Sequence, residues 1–345
     1  MTAAENAKIA IYGAGAMGTV LGALLTLGGL KNVHLITRNE KHVNGLNARG
    51  AQILCAAENT QLTVPVTALL PAQMTEKYDV IFLMTKQRDN AKIAEFLKDK
   101  LTTGGVVVTT QNGLPERLLS SVLGKDKVLG GVCTFGANFL ENGKTELTSA
   151  FLGMRLEIGG GAAAQRVVDA LTPLCDVIGK NFVCLAENLE GIRWNKLCIN
   201  ATFSTLSVVT GQTFGYVATN GRAKRVALAI LRECFAVQDA LGVPAEKMQG
   251  KDLRKLFFRK GFLGWQLGLT LLPFAMKKHS RLTSGMLADI KKGKKCEVDY
   301  IAGAVLDLAK QTGVETPNLA LAVEIVHGIE NGLYEITPKN LAFFD

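Results

Sequence analysis

Ile9-Ala10-Ile11-Tyr12-Gly13-Ala14-Gly15-Ala16-Met17-Gly18 is an apolar run that breaks into three glycines at the spacing G-x-G-x-x-G and leads into a stretch of small and apolar residues. That order predicts a strand over 8–12, a tight turn, and a helix over Ala16–Leu27. The spacing suits each glycine to a different role. Gly13 permits the turn, Gly15 lets the backbone approach a pyrophosphate, and Gly18 lets the helix lie close on the strand. A helix N-terminus adds free amides and a positive dipole end, so Gly13, Gly15, Ala16, Met17 and Gly18 together read as a phosphate cradle for a dinucleotide cofactor. An isolated glycine motif can be a plain turn; here strand, loop and helix agree.

Outward from the loop, β-branched apolar runs predict strands over 33–37, 79–85, 105–110, 128–135 and 155–158, with a helix over 91–101 and a hairpin-like insertion made of 49–55 and 61–66. Beyond about Ala186 helical spacing takes over, in 189–209, 222–241, 297–311 and 318–331. Glu315-Thr316-Pro317 offers a cap with proline in the first turn of the last helix. The predicted fold class is an α/β N-terminal, Rossmann-like doubly wound domain (1–186) that binds the cofactor, followed by an all-α C-terminal domain (187–345) that carries substrate and catalysis. With no repeat and no low-complexity linker, the two are expected to pack closely around the active site.

Composition bounds the function. The 345 residues exceed one typical core, and 48% hydrophobic against 20% charged residues excludes disorder. The net charge of +9 comes from Lys and Arg spread along the chain without a nucleic-acid module, so no nucleic acid is expected; a mild positive field suits an anionic cofactor and an anionic substrate. Seven cysteines without a C-x-x-C pair argue against a zinc or disulfide framework, so no metal is expected, and a reducing cytoplasm fits them. The polar residues 1–8 lead straight into a strand without a secretory signal. Gly261–Met276 is apolar, rimmed by Arg259, Lys260, Lys277 and Lys278, but falls short of the ~20 residues a bilayer crossing needs and is interrupted by Pro273. No membrane span is expected there, only a buried helix or a partner-facing surface.

Three positions refine the cofactor site. Thr37-Arg38-Asn39 stands where an NAD enzyme places an acidic residue for the ribose hydroxyls; Arg38 cannot accept those bonds but can pair with a 2′-phosphate, which points to NADPH. Lys86, after the strand over 79–85, offers a second cation, with a solvated side chain as the alternative. Asn112 of Gln111-Asn112-Gly113 falls at the carboxyl edge of the sheet, able to donate and accept between cofactor and substrate, with a bare Asn-Gly turn as the competing reading.

In the helical half, Lys196 and Asn200 of Trp194-Asn195-Lys196-Leu197-Cys198-Ile199-Asn200 share one face at i, i+4, and Ser204 continues that stripe. Glu297, in Glu297-Val298-Asp299-Tyr300, lies near a helix start, where the dipole favours a carboxylate. With Gly13-x-Gly15-x-x-Gly18, Lys86 and Gln111-Asn112-Gly113, these blocks resemble the ketopantoate reductase (2-dehydropantoate 2-reductase) family across nearly the whole chain. The resemblance implies a Rossmann domain followed by a helical one, NADPH as hydride donor, and a 2-oxo acid substrate. It further implies Lys196 as general acid, Glu297 as substrate-anchoring carboxylate, and Asn112 and Asn200 as orienting groups. Ser204 and Ser284 are carried as substrate contacts, and a homodimer is among the assemblies it admits.

The chain departs from the family pattern at Ser204, where a second asparagine is common, and at Thr283-Ser284-Gly285-Met286, where a Ser-Ser-Met run is common; residues 251–279 look like an insertion. Three functions therefore stand: reduction of 2-dehydropantoate to pantoate in pantothenate biosynthesis, reduction of a different 2-oxo acid, or a non-catalytic NADP(H) sensor. Retention of both Lys196 and Glu297 argues against the sensor.

Overall fold

A computed structural model of the chain describes residues 7–247, 252–259 and 261–344. Contacts divide the chain into two compact units, Met1–Gln111 with Pro115–Leu189, and Asn112–Leu114 with Glu190–Asp345. Among the described residues the first holds twelve strands: β1 Ile9–Tyr12, β2 Val33–Ile36, β3 Ala51–Cys55, β4 Thr60–Val64, β5 Thr67–Leu69, β6 Tyr78–Leu83, β7 Leu101–Thr109, β8 Val128–Cys133, β9 Ala137–Glu141, β10 Lys144–Leu147, β11 Leu156–Gly159 and β12 Val183–Ala186.

Eight of them form one sheet in the order β12-β11-β8-β7-β6-β1-β2-β5, parallel at every pairing except β8 with β11. Its inner strands are apolar on both faces, as a sheet covered on both sides requires. Ile9, Ile11, Phe82 and Val108 feed one core, while the alternating Ala10, Ile81, Leu83 and Val107 feed the other together with Ile93, Leu97, Leu119 and Leu123 from the helices Asn90–Lys98 and Glu116–Leu123. A fully buried Phe82 contributes roughly 1.5–3 kcal/mol by burial alone. Helix α1 (Ala16–Leu27) covers the first face close to the strands, because a Cβ on Gly22 would stand 2.7 Å from Leu35.

The predicted hairpin of 49–55 and 61–66 corresponds to the antiparallel pair β3–β4, but β3 also pairs in parallel with β10. The result is a second sheet, β4-β3-β10-β9, lying against α1. Helix α2 (Glu40–Arg49), which the sequence pattern does not announce, starts at Asn39, whose side chain accepts from the His42 N–H.

The second unit is helical. Leu189–Ile199 continues through a π-helical turn, Asn200–Ser204, into Thr205–Thr210, and a second π turn, Asp299–Gly303, precedes Ala304–Thr312. Gly221–Ala240 and Pro317–Glu330 complete the core around Trp194, Phe203 and Phe235. Thr316 makes no side-chain cap on the last helix. Glu233 caps it instead: its two carboxylate oxygens accept the Asn318 and Leu319 N–H groups at 3.0 and 2.8 Å, a charge placed where the helix dipole favours it. Pro273, expected to interrupt the apolar run, sits inside an unbroken helix Gly261–Met276, since its missing N–H costs one bond near the helix end. Among the described residues no helix is long and apolar enough to cross a membrane.

Candidate active site

The glycine loop separates the demands of the fold from those of a ligand. Gly13 has φ +107°, and a Cβ there would stand 2.6 Å from the Thr85 nitrogen; a Cβ on Gly18 would stand 2.5 Å from the Gly13 carbonyl oxygen. Those two glycines are required by the protein's own backbone. Gly15 is not: its φ is −83°, and a Cβ would meet nothing within 4 Å. Among the described residues no side chain caps the α1 N-terminus at Gly15, so the turn presents open space and a positive dipole end, a combination suited to a pyrophosphate. The Gly13 and Ala14 N–H groups are engaged by the Ile36 carbonyl at 3.0 and 2.9 Å, which fixes the loop against β2.

The carboxyl ends of β1, β2, β6 and β7 bring Gly13, Arg38, Lys86 and Gln111 to one edge of the sheet, where strand order reverses around β1. Arg38 is 77% exposed and lies 3.4 Å from the Asp89 carboxylate. An exposed pair of that kind is worth at most about 1 kcal/mol, so Asp89 holds Arg38 loosely against competition from a phosphate. Lys86 is exposed just ahead of the short turn Gln87–Asp89. Gln111 is buried in a network that local sequence does not disclose: its amide nitrogen donates to the Thr85 carbonyl and to Asn90 Oδ1, both at 2.8 Å, while Asn90 and Thr109 donate to its oxygen at 3.0 Å. This network fixes the strand end from which the exposed Asn112 projects.

His42 braces the loop from behind. Its Nδ1 accepts the Gly143 N–H at 2.9 Å, so its Nε2, 3.0 Å from Thr19 Oγ1 of α1, carries the hydrogen. Burial holds its pKa below the ordinary 6.5, against the opposing pull of the Ala14 carbonyl. A protonated ring cannot accept from Gly143. The unfolded chain therefore takes up the proton first on acidification, and stability present above pH 6.5 is lost as pH falls toward the folded value. His34 is shifted in the same direction by burial. We expect the urea midpoint to drop between pH 7 and pH 5, and His42→Gln to flatten that slope; an unchanged slope in the variant would assign the loss to other groups.

In the helical unit the two π turns pack against each other, which sets Asn200 and Ser204 beside the turn that follows Glu297. Lys196, Asn200 and Glu297 are each half-buried, neither fully solvated nor sealed in the core. The α-helical stripe predicted for Lys196, Asn200 and Ser204 holds from Lys196 to Asn200; at Asn200–Ser204 the i→i+5 pattern inserts an extra residue and turns Ser204 inward, to 8% exposure. Single-turn widenings of this kind are frequent at functional sites. Asn195 belongs to the scaffold, its amide donating to the Glu246 carbonyl at 2.7 Å. Ser284, 2% exposed, caps the helix Gly285–Lys291: its Oγ accepts the Leu287 N–H at 3.0 Å, and its own N–H donates to Ser207. That helix packs beside the Asn200–Ser204 turn. A side chain at Gly285 would have open space around it.

A glycine loop at the switch point of a mostly parallel sheet, followed by an all-α unit with Lys196 on one helix and Glu297 just ahead of another, is the architecture of a two-domain nucleotide-dependent oxidoreductase. Residues 9–159 match the family model "Ketopantoate reductase PanE/ApbA", and residues 188–330 match "Ketopantoate reductase PanE/ApbA C terminal". The chain belongs to the ketopantoate reductase family. It is 27% identical to a 2-dehydropantoate 2-reductase of Archaeoglobus fulgidus, over 94% of this chain and 99% of the relative, and 24% identical to one of Mesorhizobium japonicum, over 95% and 99%. Among solved structures, a D-mandelate dehydrogenase with NADH and anilino(oxo)acetate superposes with TM-score 0.78 at 22% identity, and a PanE/ApbA family ketopantoate reductase from Ralstonia eutropha JMP134 with TM-score 0.77 at 23%. Each alignment covers 94% of this chain and 99% of the other. They share its fold.

Proposed function

We propose that the protein reduces a 2-oxo acid with NADPH, and that its substrate is 2-dehydropantoate, converted to pantoate for pantothenate synthesis. The observation that carries this reading is the open cradle at Gly15, occurring in one chain with the half-buried Lys196 and Glu297, each just ahead of one of two π turns that pack together. Gly13, Gly15, Ala16, Met17 and Gly18 would hold the pyrophosphate, Arg38 and Lys86 the remaining anionic groups, and Asn112 would lie between cofactor and substrate. NADPH held there would supply a hydride to the ketone carbon. The ketone oxygen then carries the negative charge, which the Lys196 ammonium stabilises and neutralises by giving up one proton. Asn200 orients the substrate's polar groups, with Ser204 and Ser284 at the margin of the same turn. Glu297 accepts from the hydroxyl that distinguishes ketopantoate from simpler 2-oxo acids.

Two predictions test these roles. In Arg38→Asp the preference for NADPH over NADH should fall by about 10- to 100-fold or invert, the worth of one charge-assisted pair; equal affinity for both cofactors in the unaltered protein would remove Arg38 from selection. In Glu297→Ala, kcat/KM should fall about 10- to 100-fold further for ketopantoate than for 2-oxoisovalerate, because only the former loses a buried hydroxyl partner. Equal losses would make Glu297 a structural or electrostatic support. Glycine at 285, which offers no side chain to a substrate, leaves a second reading, a bulkier 2-oxo acid, for which Gly285→Ser would reduce turnover more than it does for ketopantoate.

A further inference from the structure

The positive charge of the chain is less evenly spread than its composition implies. Between Asp252 and Asp289 there is no acidic residue, yet there are seven Lys and Arg: Arg254, Lys255, Arg259, Lys260, Lys277, Lys278 and Arg281. Arg254 and Lys255 are paired with Asp239 and Asp252. Lys277, Lys278 and Arg281 are exposed and have no carboxylate partner among the described residues.

The helix Gly261–Met276 at the centre of this stretch holds no charge at all. One stripe, Gly264, Gly268, Leu272 and Met276, is buried; a Cβ on Gly268 would stand 2.9 Å from Leu228, so the helix sits close on Gly221–Ala240. Arg232 locks it further, its guanidinium 5.0 Å over the Trp265 ring and its Nε donating to the Phe257 carbonyl at 3.0 Å. The outer face is left in water: Phe262, Leu263 and Phe274 are 74, 83 and 71% exposed, with only the uncharged Gln266 and Thr270 exposed between them. Phe262 and Phe274 stand about 18 Å apart along the helix, at 1.5 Å per residue.

We propose that this face docks on an anionic phospholipid surface. The helix lies in the headgroup boundary, with Phe262, Leu263 and Phe274 entering the acyl region while Arg259, Lys277, Lys278 and Arg281 meet the lipid phosphates. Apolar insertion flanked by cations is the combination that holds an interfacial helix on a bilayer, and a single weak signal of either kind does not. A second copy fits poorly: two-fold packing of antiparallel helices would bring the Arg259 end of one against the Lys277–Lys278 end of the other, like against like. A nucleic-acid strand fits poorly too, since its phosphates need cations along the groove and here they stand only at the ends.

Co-sedimentation of the full chain with vesicles tests this directly. Vesicles of phosphatidylcholine and phosphatidylglycerol in roughly equal amounts should retain the protein, and phosphatidylcholine alone should not. Lys277→Glu with Lys278→Glu should lower the partition at least about tenfold, and Phe262→Ser with Leu263→Ser should do the same through lost insertion, with NADPH affinity unchanged in both. Absence of binding to the anionic vesicles overturns the proposal. So does binding that survives the Phe262/Leu263 replacement, which would mark adsorption by charge alone. A dimer in light scattering that the same replacement dissociates, with no vesicle binding, would assign the face to a second copy.

Discussion

Lys196→Ala is expected to cut turnover by ~10² to 10⁴ while leaving NADPH affinity nearly intact, the range for loss of a positioned proton donor. Its neighbours Trp194, Leu197 and Cys198 are buried in the helical core, whereas Lys196 is half-buried, so circular dichroism of the variant separates loss of the donor from loss of the fold. Lys196→Arg should not rescue turnover, because a guanidinium keeps the charge but does not release its proton near neutral pH. Stopped-flow single turnovers, which separate reduction from product release, are the measurement. A folded Lys196→Ala protein with near-normal kcat would leave Lys196 as an ordinary surface cation.

The second large effect divides stability from binding within one loop. Gly13→Ala combines a φ of +107° with a Cβ 2.6 Å from the Thr85 nitrogen and 2.7 Å from the Met84 carbonyl carbon, so the β1 and β6 ends must separate. The strained backbone alone costs roughly 1–3 kcal/mol, and the clash with main chain adds to it. Gly15→Ala meets no neighbour at φ −83°, and its unfolding free energy should change by less than about 1 kcal/mol. Its NADPH affinity should nevertheless fall at least tenfold if a pyrophosphate occupies that space. Urea unfolding and NADPH titration on the two variants give opposite patterns under this account. A Gly15→Ala protein that binds NADPH normally would move the cofactor off the loop.

How much of the fold and site is legible in the sequence depends on whether the determinant is local. The run from Ile9 to Gly18 carries its own instructions, and helix α1 falls at Ala16–Leu27 as its glycines and small residues predict. The small sheet reads only as a hairpin, because β3 meets β10 across a separation no periodicity records. The same limit applies to the cap that Glu233 places on Pro317–Glu330, where Thr316 stands in the obvious position. Within the candidate site, Gln111 is visible beside Asn112, but its buried partner Asn90 is not, since nothing in an Asp-Asn helix start distinguishes a network member from a surface amide. Asp89 beside Arg38 escapes notice for the same reason. The π turns leave no mark in Asn200-Ala201-Thr202-Phe203-Ser204, so α-helical spacing projects Ser204 onto a stripe that the extra residue displaces. Ser284, expected as a substrate contact, begins a helix and gives its oxygen to the Leu287 N–H, a use that the Thr-Ser-Gly-Met run does not announce.

Reduction of a 2-oxo acid at the expense of NADPH can be followed by nicotinamide absorbance with the purified full chain against ketopantoate, 2-oxoisovalerate, pyruvate and an aryl 2-oxo acid, with NADPH and NADH in parallel. Ketopantoate should oxidise NADPH with kcat/KM well above that for pyruvate, and NADH more slowly. NADPH that binds but is oxidised by none of the four acids would contradict it, leaving a nucleotide-binding protein without reductase chemistry.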